Sequence, residues 1–247
     1  SGPGLLSIRY RSISGRLDEI RRNQRLDRII TVSGYMKRRL EANGFDSTRI
    51  DVIAPALDCE DLPVTPVPES PEILFVGSLL RGKGVDLLFR ALCDVRAPFR
   101  LNIVGAGKSM RRLERLCRRL GLRDRTEFVG WVPASQLAAH YDRALVVVVP
   151  TRAPESFCLV GPEAMRRGRP VVAFDVGGIS DWLEHGHTGL LVPEQDTDGL
   201  GRALVRLLTD RAYAQQLGTN AALRAAERFS HSAFIERVEA ILNPQTP

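Results

Sequence analysis

Lysine is scarce in this chain. Of its 35 basic residues only Lys37, Lys83 and Lys108 are lysines. Arginine's planar fork suits fixed contacts, whereas a lysine ammonium is a compact, flexible point charge, so a lysine standing among glycines carries information. Cysteine is sparse too. Cys59, Cys93, Cys117 and Cys158 match neither a metal spacing nor a disulfide framework, so reduced thiols in a cytoplasmic protein are expected. No apolar run reaches the roughly 20 residues that span a bilayer. The opening SGPGLLSIRY lacks the basic-then-apolar layout of a signal peptide, and Ser1-Gly2-Pro3-Gly4 reads as an expression scar. Neither a Walker loop nor a metal-diphosphate aspartate motif is found, and His185, His187 and Glu184 have no zinc spacing. No metal and no resident cofactor are therefore expected. There is no internal repeat and no low-complexity tract.

What is present is ordinary globular composition: 247 residues, 44% hydrophobic and 26% charged. That length suits one large domain, or one domain with part of another. The formal charge of +6 is unevenly placed. Residues 1–50 hold eleven Lys/Arg and five Asp/Glu, a balance of +6, and the rest of the chain balances to zero. Such a segment attracts anionic lipid or nucleic acid. Its interspersed acids, and Tyr10 as its only aromatic before Tyr35, equally suit a solvated helix face.

The pattern predicts a polar helix over 16–25, a strand within 26–33, a helix over 35–44 and a strand over 49–55. Pro63, Pro66, Pro68 and Pro71, following Pro55, mark a boundary at 58–72. Beyond it strands are expected at 73–76, 101–104, 126–129, 145–149, 171–174 and 189–192. Helices are expected near 84–94, 108–120, 134–141, 158–167, 179–185, 197–209, 211–227 and 231–242. Repeated strand-helix units imply an α/β fold, a Rossmann-like parallel sheet with helices on both faces.

Chemistry concentrates where strands meet helices. Gly77 follows the first of these strands, Ser78 comes next, and Gly82-Lys83-Gly84 opens a helix. Glycines let a backbone approach a phosphate, and Lys83 can neutralise a diphosphate; a surface lysine in a tight turn fits as well. Gly105 and Gly107 follow the next strand, as a phosphate loop or as a tight turn. Trp131 is a candidate neighbour of a base, or a packed surface residue. Gly177-Gly178 permit another close approach, and Asp181 can complement a helix dipole. The stretch PESFCLVGPEAMRRGRPVV places Glu155 before a helix and Glu163 within it, eight positions apart. Two acids so spaced can face one cleft, or can simply favour the helix start.

This last stretch resembles the E-x7-E signature of retaining GT-B glycosyltransferases, family 4 in the usual classification. The ordered set FVG…KGVDLL, IVGAG, EFVGWVP, PESFCLVGPEAM and VGGISDWLEHGHTGLLVP resembles that family's C-terminal, donor-binding half. LDRIITVSGYMKRRLEANG is similar to the end of its acceptor half, so the resemblance covers about residues 26–245. It implies a partial N-terminal domain over 1–57 and a nucleotide-sugar-binding domain over 58–247. It implies transfer of a sugar from a nucleoside diphosphate sugar with retention at the anomeric carbon, onto a glycan, lipid or small metabolite. Lys83 and Glu155 would be the catalytic pair, Lys83 on the diphosphate and Glu155 on sugar hydroxyls. Backbone N–H groups of Phe157, Cys158, Leu159 and Val160 would approach the phosphates, and Glu163 would hold the ribose. Gly77, Ser78, Gly105 and Gly107 would line the cleft, with Trp131 toward the base.

Three departures stand out. Many relatives carry Arg where this chain has Ser78, which shifts diphosphate neutralisation toward Lys83 and Arg81. Glycine is common where Cys158 stands, and Asp181 replaces a frequent Glu. The acceptor half is largely absent, so a missing N-terminal half or a companion chain is an expected partner. A non-catalytic sugar-nucleotide-binding subunit and a sugar-nucleotide epimerase are the alternative readings. A peripheral membrane contact is allowed, and no nucleic-acid partner is expected.

Overall fold

The computed structural model describes residues 13–57 and 64–243. Ser1 to Gly4, Tyr10, Cys59 and Pro63, with part of the proline-rich boundary, lie outside the described residues. Near the N-terminus come α1 (Ile13–Asn23), β1 (Ile29–Thr31), α2 (Gly34–Glu41) and β2 (Ile50–Val52). β1 and β2 pair in parallel with Ile29 opposite Ile50. α2 begins where Ser33 Oγ accepts from the Met36 N–H at 3.1 Å, satisfying one of the free donors of a helix start.

A second sheet follows, built from β3 (Glu72–Val76), β4 (Arg100–Val104), β5 (Thr126–Gly130), β6 (Val146–Val149), β7 (Val171–Phe174) and β8 (Gly189–Val192). Its order is β5-β4-β3-β6-β7-β8, with every pair parallel. The connecting helices are α3 (Val85–Cys93), α4 (Met110–Arg119), α5 (Ala134–Arg143) and α6 (Val160–Arg166). α7 (Thr197–Thr209), α8 (Arg211–Phe229) and α9 (His231–Leu242) complete the chain. β6 and β7 read as unbroken apolar runs because both of their faces are covered. Ile73 and Phe75 enter a core shared with α3, α4 and α7, while Leu74 between them enters a second core with α5 and α6. Burying each such side chain contributes about 1.5–3 kcal/mol, which makes the sheet a rigid frame.

Three local expectations change. Residues 179–185 are not a helix: only a single 3₁₀ turn, Ile179–Asp181, forms. The fully buried Trp182 leaves helical geometry at φ −125, and its indole N–H donates to the Phe157 carbonyl at 2.6 Å. Side-chain anchoring outweighs helical continuation there. The helix expected from 158 starts at Val160, because Cys158 has φ +70. Asp181 does not serve a helix of its own. Its Oδ2 accepts from the Tyr35 N–H at 2.9 Å, in the first turn of α2, so it complements the dipole of a helix far away in sequence.

Arg169 is 0% exposed and fixes the edge of the proline-rich stretch. Its guanidinium donates to the carbonyls of Pro66 at 3.0 Å, Thr65 at 3.0 Å and Ala144 at 3.4 Å, and to the Thr65 hydroxyl. Burial pulls its pKa below the usual arginine value. Among the described residues no helix is long and apolar enough to cross a membrane.

Candidate functional site

The strand order reverses between β3 and β6, and an open parallel sheet takes its ligand in the crevice beyond the carboxyl ends of such strands. Two loops border this crevice, one leaving β3 at Gly77 and one leaving β6 at Pro150. Gly84 lets them meet. It has φ +72, and a Cβ there would lie 1.7 Å from the Pro150 carbonyl oxygen, so only glycine fits. The Gly82 carbonyl accepts from the Thr151 hydroxyl at 3.0 Å and from the N–H groups of Arg152 at 2.9 Å and Ala153 at 3.2 Å. Arg152 then reaches Asp86 Oδ1 at 2.6 Å, at the start of α3.

This lacing brings together two residues 72 positions apart. Lys83 Nζ donates to Glu155 Oε1 at 2.7 Å. Their side chains are 33% and 17% exposed, so the pair is shielded without being sealed. The Glu155 loop is also held from behind, where the Gly178 N–H donates to the Glu155 carbonyl at 2.8 Å. The Gly177-Gly178 turn therefore packs against protein backbone.

Glu163 lies on α6, and its Oε2 accepts from the Tyr141 hydroxyl at 2.7 Å. Burial, and then the Glu163 charge, push the Tyr141 phenol well above its ordinary range. The phenol thus keeps its proton and remains a donor to Glu163. Between the acids sits Cys158, with a left-handed backbone that is uncommon outside glycine. Its thiol is pushed up to about 12, first by burial and then by the Glu155 charge, with Lys83 pulling the other way. Phe157 is buried and Leu159 is exposed. The N–H groups of Phe157, Cys158, Leu159 and Val160 donate to no acceptor among the described residues. This turn thus offers backbone donors beside an ammonium, an arrangement that suits an anion.

A cavity of about 20 Å3 lies here, bordered by Phe75, Lys83, Thr151, Glu155, Cys158 and Val160. A larger groove of about 850 Å3 lies between α3 and α7. We place the site at the smaller one, because the strand reversal, the free backbone donors and the ion pair all converge there. Ser78 and Arg81 are exposed and do not line it. Gly77 donates its N–H to Val104 at 3.0 Å. A Cβ on Gly105 would lie 1.9 Å from the Gly77 carbonyl oxygen, so contact between the β3 and β4 turns already requires that glycine. Gly107 packs beside the Leu79 backbone. Trp131 is 74% exposed at the end of the edge strand β5, which corrects the expectation of a packed residue. Gly130 before it takes a left-handed backbone, at φ +85.

His185 Nδ1 meets the Leu191 backbone at 3.0 Å, His187 lies beside Asn220, and Glu184 pairs with Arg224 at 2.9 Å, so the three point to separate partners. Three residues at the site had no sequence signal. Tyr141 looks like any aromatic on a helix, and nothing marks Asp86 and Arg152 as partners until the loops are folded.

With this geometry fixed, residues 70–210 match the family described as Glycosyl transferases group 1. The chain is 35% identical over 221 residues to D-inositol 3-phosphate glycosyltransferase of Nocardia farcinica, covering 81% of this chain and 49% of that protein. Sucrose-phosphate synthase of Thermosynechococcus elongatus superposes with a TM-score of 0.81 at 30% identity, over 95% of this chain and 62% of that one. HepE of Anabaena, solved in complex with UDP and glucose, superposes with a TM-score of 0.85 over 94% of this chain and 68% of that one. Its 22% identity shows the fold alone. The chain spans about half the length of the curated relatives it matches.

Proposed function

The chain belongs to the glycosyl transferases group 1 family, and on that premise we propose that it is the donor-binding part of a retaining GT-B glycosyltransferase. The observation that carries the reading is the Lys83–Glu155 ion pair at the strand reversal between β3 and β6. A nucleoside diphosphate sugar brings matching groups to both partners. Its diphosphate takes the Lys83 ammonium, which frees the Glu155 carboxylate to accept from sugar hydroxyls. The unengaged N–H groups from Phe157 to Val160 lie beside the phosphates. Glu163, aligned by Tyr141, accepts from the ribose diol. Gly77, Ser78, Gly105 and Gly107 border the nucleotide, and Trp131 lies toward the base. Stabilising the departing diphosphate is the main catalytic contribution of this half, with Lys83 as the principal charge and no metal required.

Residues 58–247 form the nucleotide-sugar-binding unit in this proposal, and 1–57 the end of an acceptor-side unit. The remaining acceptor side comes from further chain or from a companion, and the setting is cytoplasmic. Glycosyl transfer needs both substrates in one geometry, and such orientation is worth about 7–11 kcal/mol, so this chain alone should bind donor with little turnover. UDP accompanies one structural neighbour and is the first ligand to try. Calorimetry with UDP, GDP and ADP tests the reading: saturable binding to at least one is expected. Absence of heat with all three at millimolar concentration would refute it.

A further inference from the structure

Away from the crevice, the segment 108–125 holds eight Lys/Arg and two Asp/Glu, a balance of +6. Within it, α4 is sharply two-sided. Leu113, Leu116 and Cys117 are buried in the core shared with α3 and α7. Arg111, Arg115 and Arg118 follow the i, i+4, i+7 spacing that makes one stripe, and Arg112 and Arg119 flank it. Arg111, Arg115, Arg118 and Arg119 are exposed and form no salt bridge among the described residues. Arg112 approaches Asp86 only at 3.9 Å, and Asp86 is already held by Arg152 at 2.6 Å. Glu114 is the single acid on the helix. An ordinary solvated helix face interleaves charges of both signs, and this one does not.

We infer that the arginine face of α4 docks the protein on an anionic phospholipid surface. The stripe runs along a helix about 15 Å long whose opposite face is buried in the core, so it presents its cations to a plane. It cannot enter a DNA groove as a protruding recognition helix does. The face carries no aromatic side chain on which bases could stack, which disfavours single strands. Arg123 and Arg125 donate to the Thr126 and Val95 carbonyls and are not part of the stripe. With no apolar residue directed outward beside the stripe, the attachment is electrostatic, reversible and sensitive to salt. α4 starts just after the carboxyl end of β4, so docking through it sets the crevice mouth beside the lipid surface rather than against it. This inference concerns the surface alone and does not depend on nucleotide binding.

The test is co-sedimentation of the full chain with vesicles of phosphatidylcholine, with and without phosphatidylglycerol, at low and high salt. Binding to the mixed vesicles at low salt, and loss at high salt, are expected. Each arginine near the surface is worth about a fivefold change in partitioning. Replacing Arg111, Arg115, Arg118 and Arg119 together by glutamine should therefore lower binding by about a hundredfold or more. A control of equal charge change, Arg16→Gln with Arg21→Gln and Arg22→Gln on α1 and Arg25→Gln just after it, should leave most of it. Arg111→Gln and Arg118→Gln, each alone, keep the test available if the fourfold variant fails to fold. Equal losses from the α1 and α4 variants, unchanged binding in the α4 variant, equal binding to neutral vesicles, or binding to duplex DNA but not to vesicles would each overturn the inference.

Discussion

Replacing Glu155 with glutamine should tighten the protein's grip on UDP while weakening its grip on a UDP-sugar. In the free protein the Lys83 ammonium is held by Glu155 at 2.7 Å, so a diphosphate must compete for it. Unit charges about 4 Å apart at an effective dielectric near 20 attract by about 4 kcal/mol. Lys83 is a third exposed, and water and salt reduce the net strength of such a pair to about 1 kcal/mol. Glutamine keeps the shape and the acceptor oxygen but removes the charge. UDP should therefore bind roughly fivefold tighter to Glu155→Gln, and the gain should shrink as ionic strength rises. The sugar reverses the sign. Hydrogen bonds from its hydroxyls to a charged acceptor are worth about 1.5–3 kcal/mol, more than the ion pair returns, so UDP-sugar affinity should fall. Calorimetry of both ligands at two salt concentrations reads the difference directly, with Lys83→Ala as the control that weakens both. Equal losses for UDP and UDP-sugar in Glu155→Gln would refute this division of roles.

Other consequences are equally specific. Tyr141→Phe removes the donor that aligns Glu163, and should weaken UDP roughly fivefold at a stability cost near 1 kcal/mol. The same substitution should have far less effect on 2′-deoxy-UDP, and equal losses for both nucleotides would separate Tyr141 from ribose recognition. Glu163→Ala should weaken UDP and UDP-sugar alike, each by more than tenfold, as titration of both ligands would show. Cys158 has its thiol raised from 9.0 to about 12 in the fold, so the folded state holds a proton that the unfolded chain releases. Its contribution is complete below about pH 9 and is lost as pH rises toward 12. Thermal melts should therefore fall more steeply over that window in the parent than in Cys158→Ala, and parallel profiles would contradict the assignment. Arg169→Met takes the donor from the buried Ala144 carbonyl and from the part-buried Thr65 and Pro66 carbonyls, and should cost about 1–3 kcal/mol in urea unfolding, where a loss under 1 kcal/mol would mean those carbonyls find water.

The sheet was legible because its strands carry their own evidence. Leu145 to Val149 and Val171 to Phe174 are apolar at every position, and only a strand covered on both faces requires that. The 179–185 segment misled because its local pattern permits a helix, and the Trp182 contact with Phe157 that prevents one joins residues 25 apart. Asp181 misled for the same reason, since the α2 start that it serves lies 146 positions away. At the site, glycine positions and the two glutamates pointed to a phosphate-binding edge, yet the partners of those glutamates were not readable. A lysine in one loop and a phenol on another helix meet them only after the strand order brings the loops together.

The most direct test is the crystal structure of this chain grown with UDP. The account predicts the β-phosphate within hydrogen-bonding distance of Lys83 Nζ, the Lys83–Glu155 contact opened, and the ribose hydroxyls against Glu163. A nucleotide lodged in the groove between α3 and α7, with the Lys83–Glu155 pair still closed, would contradict it.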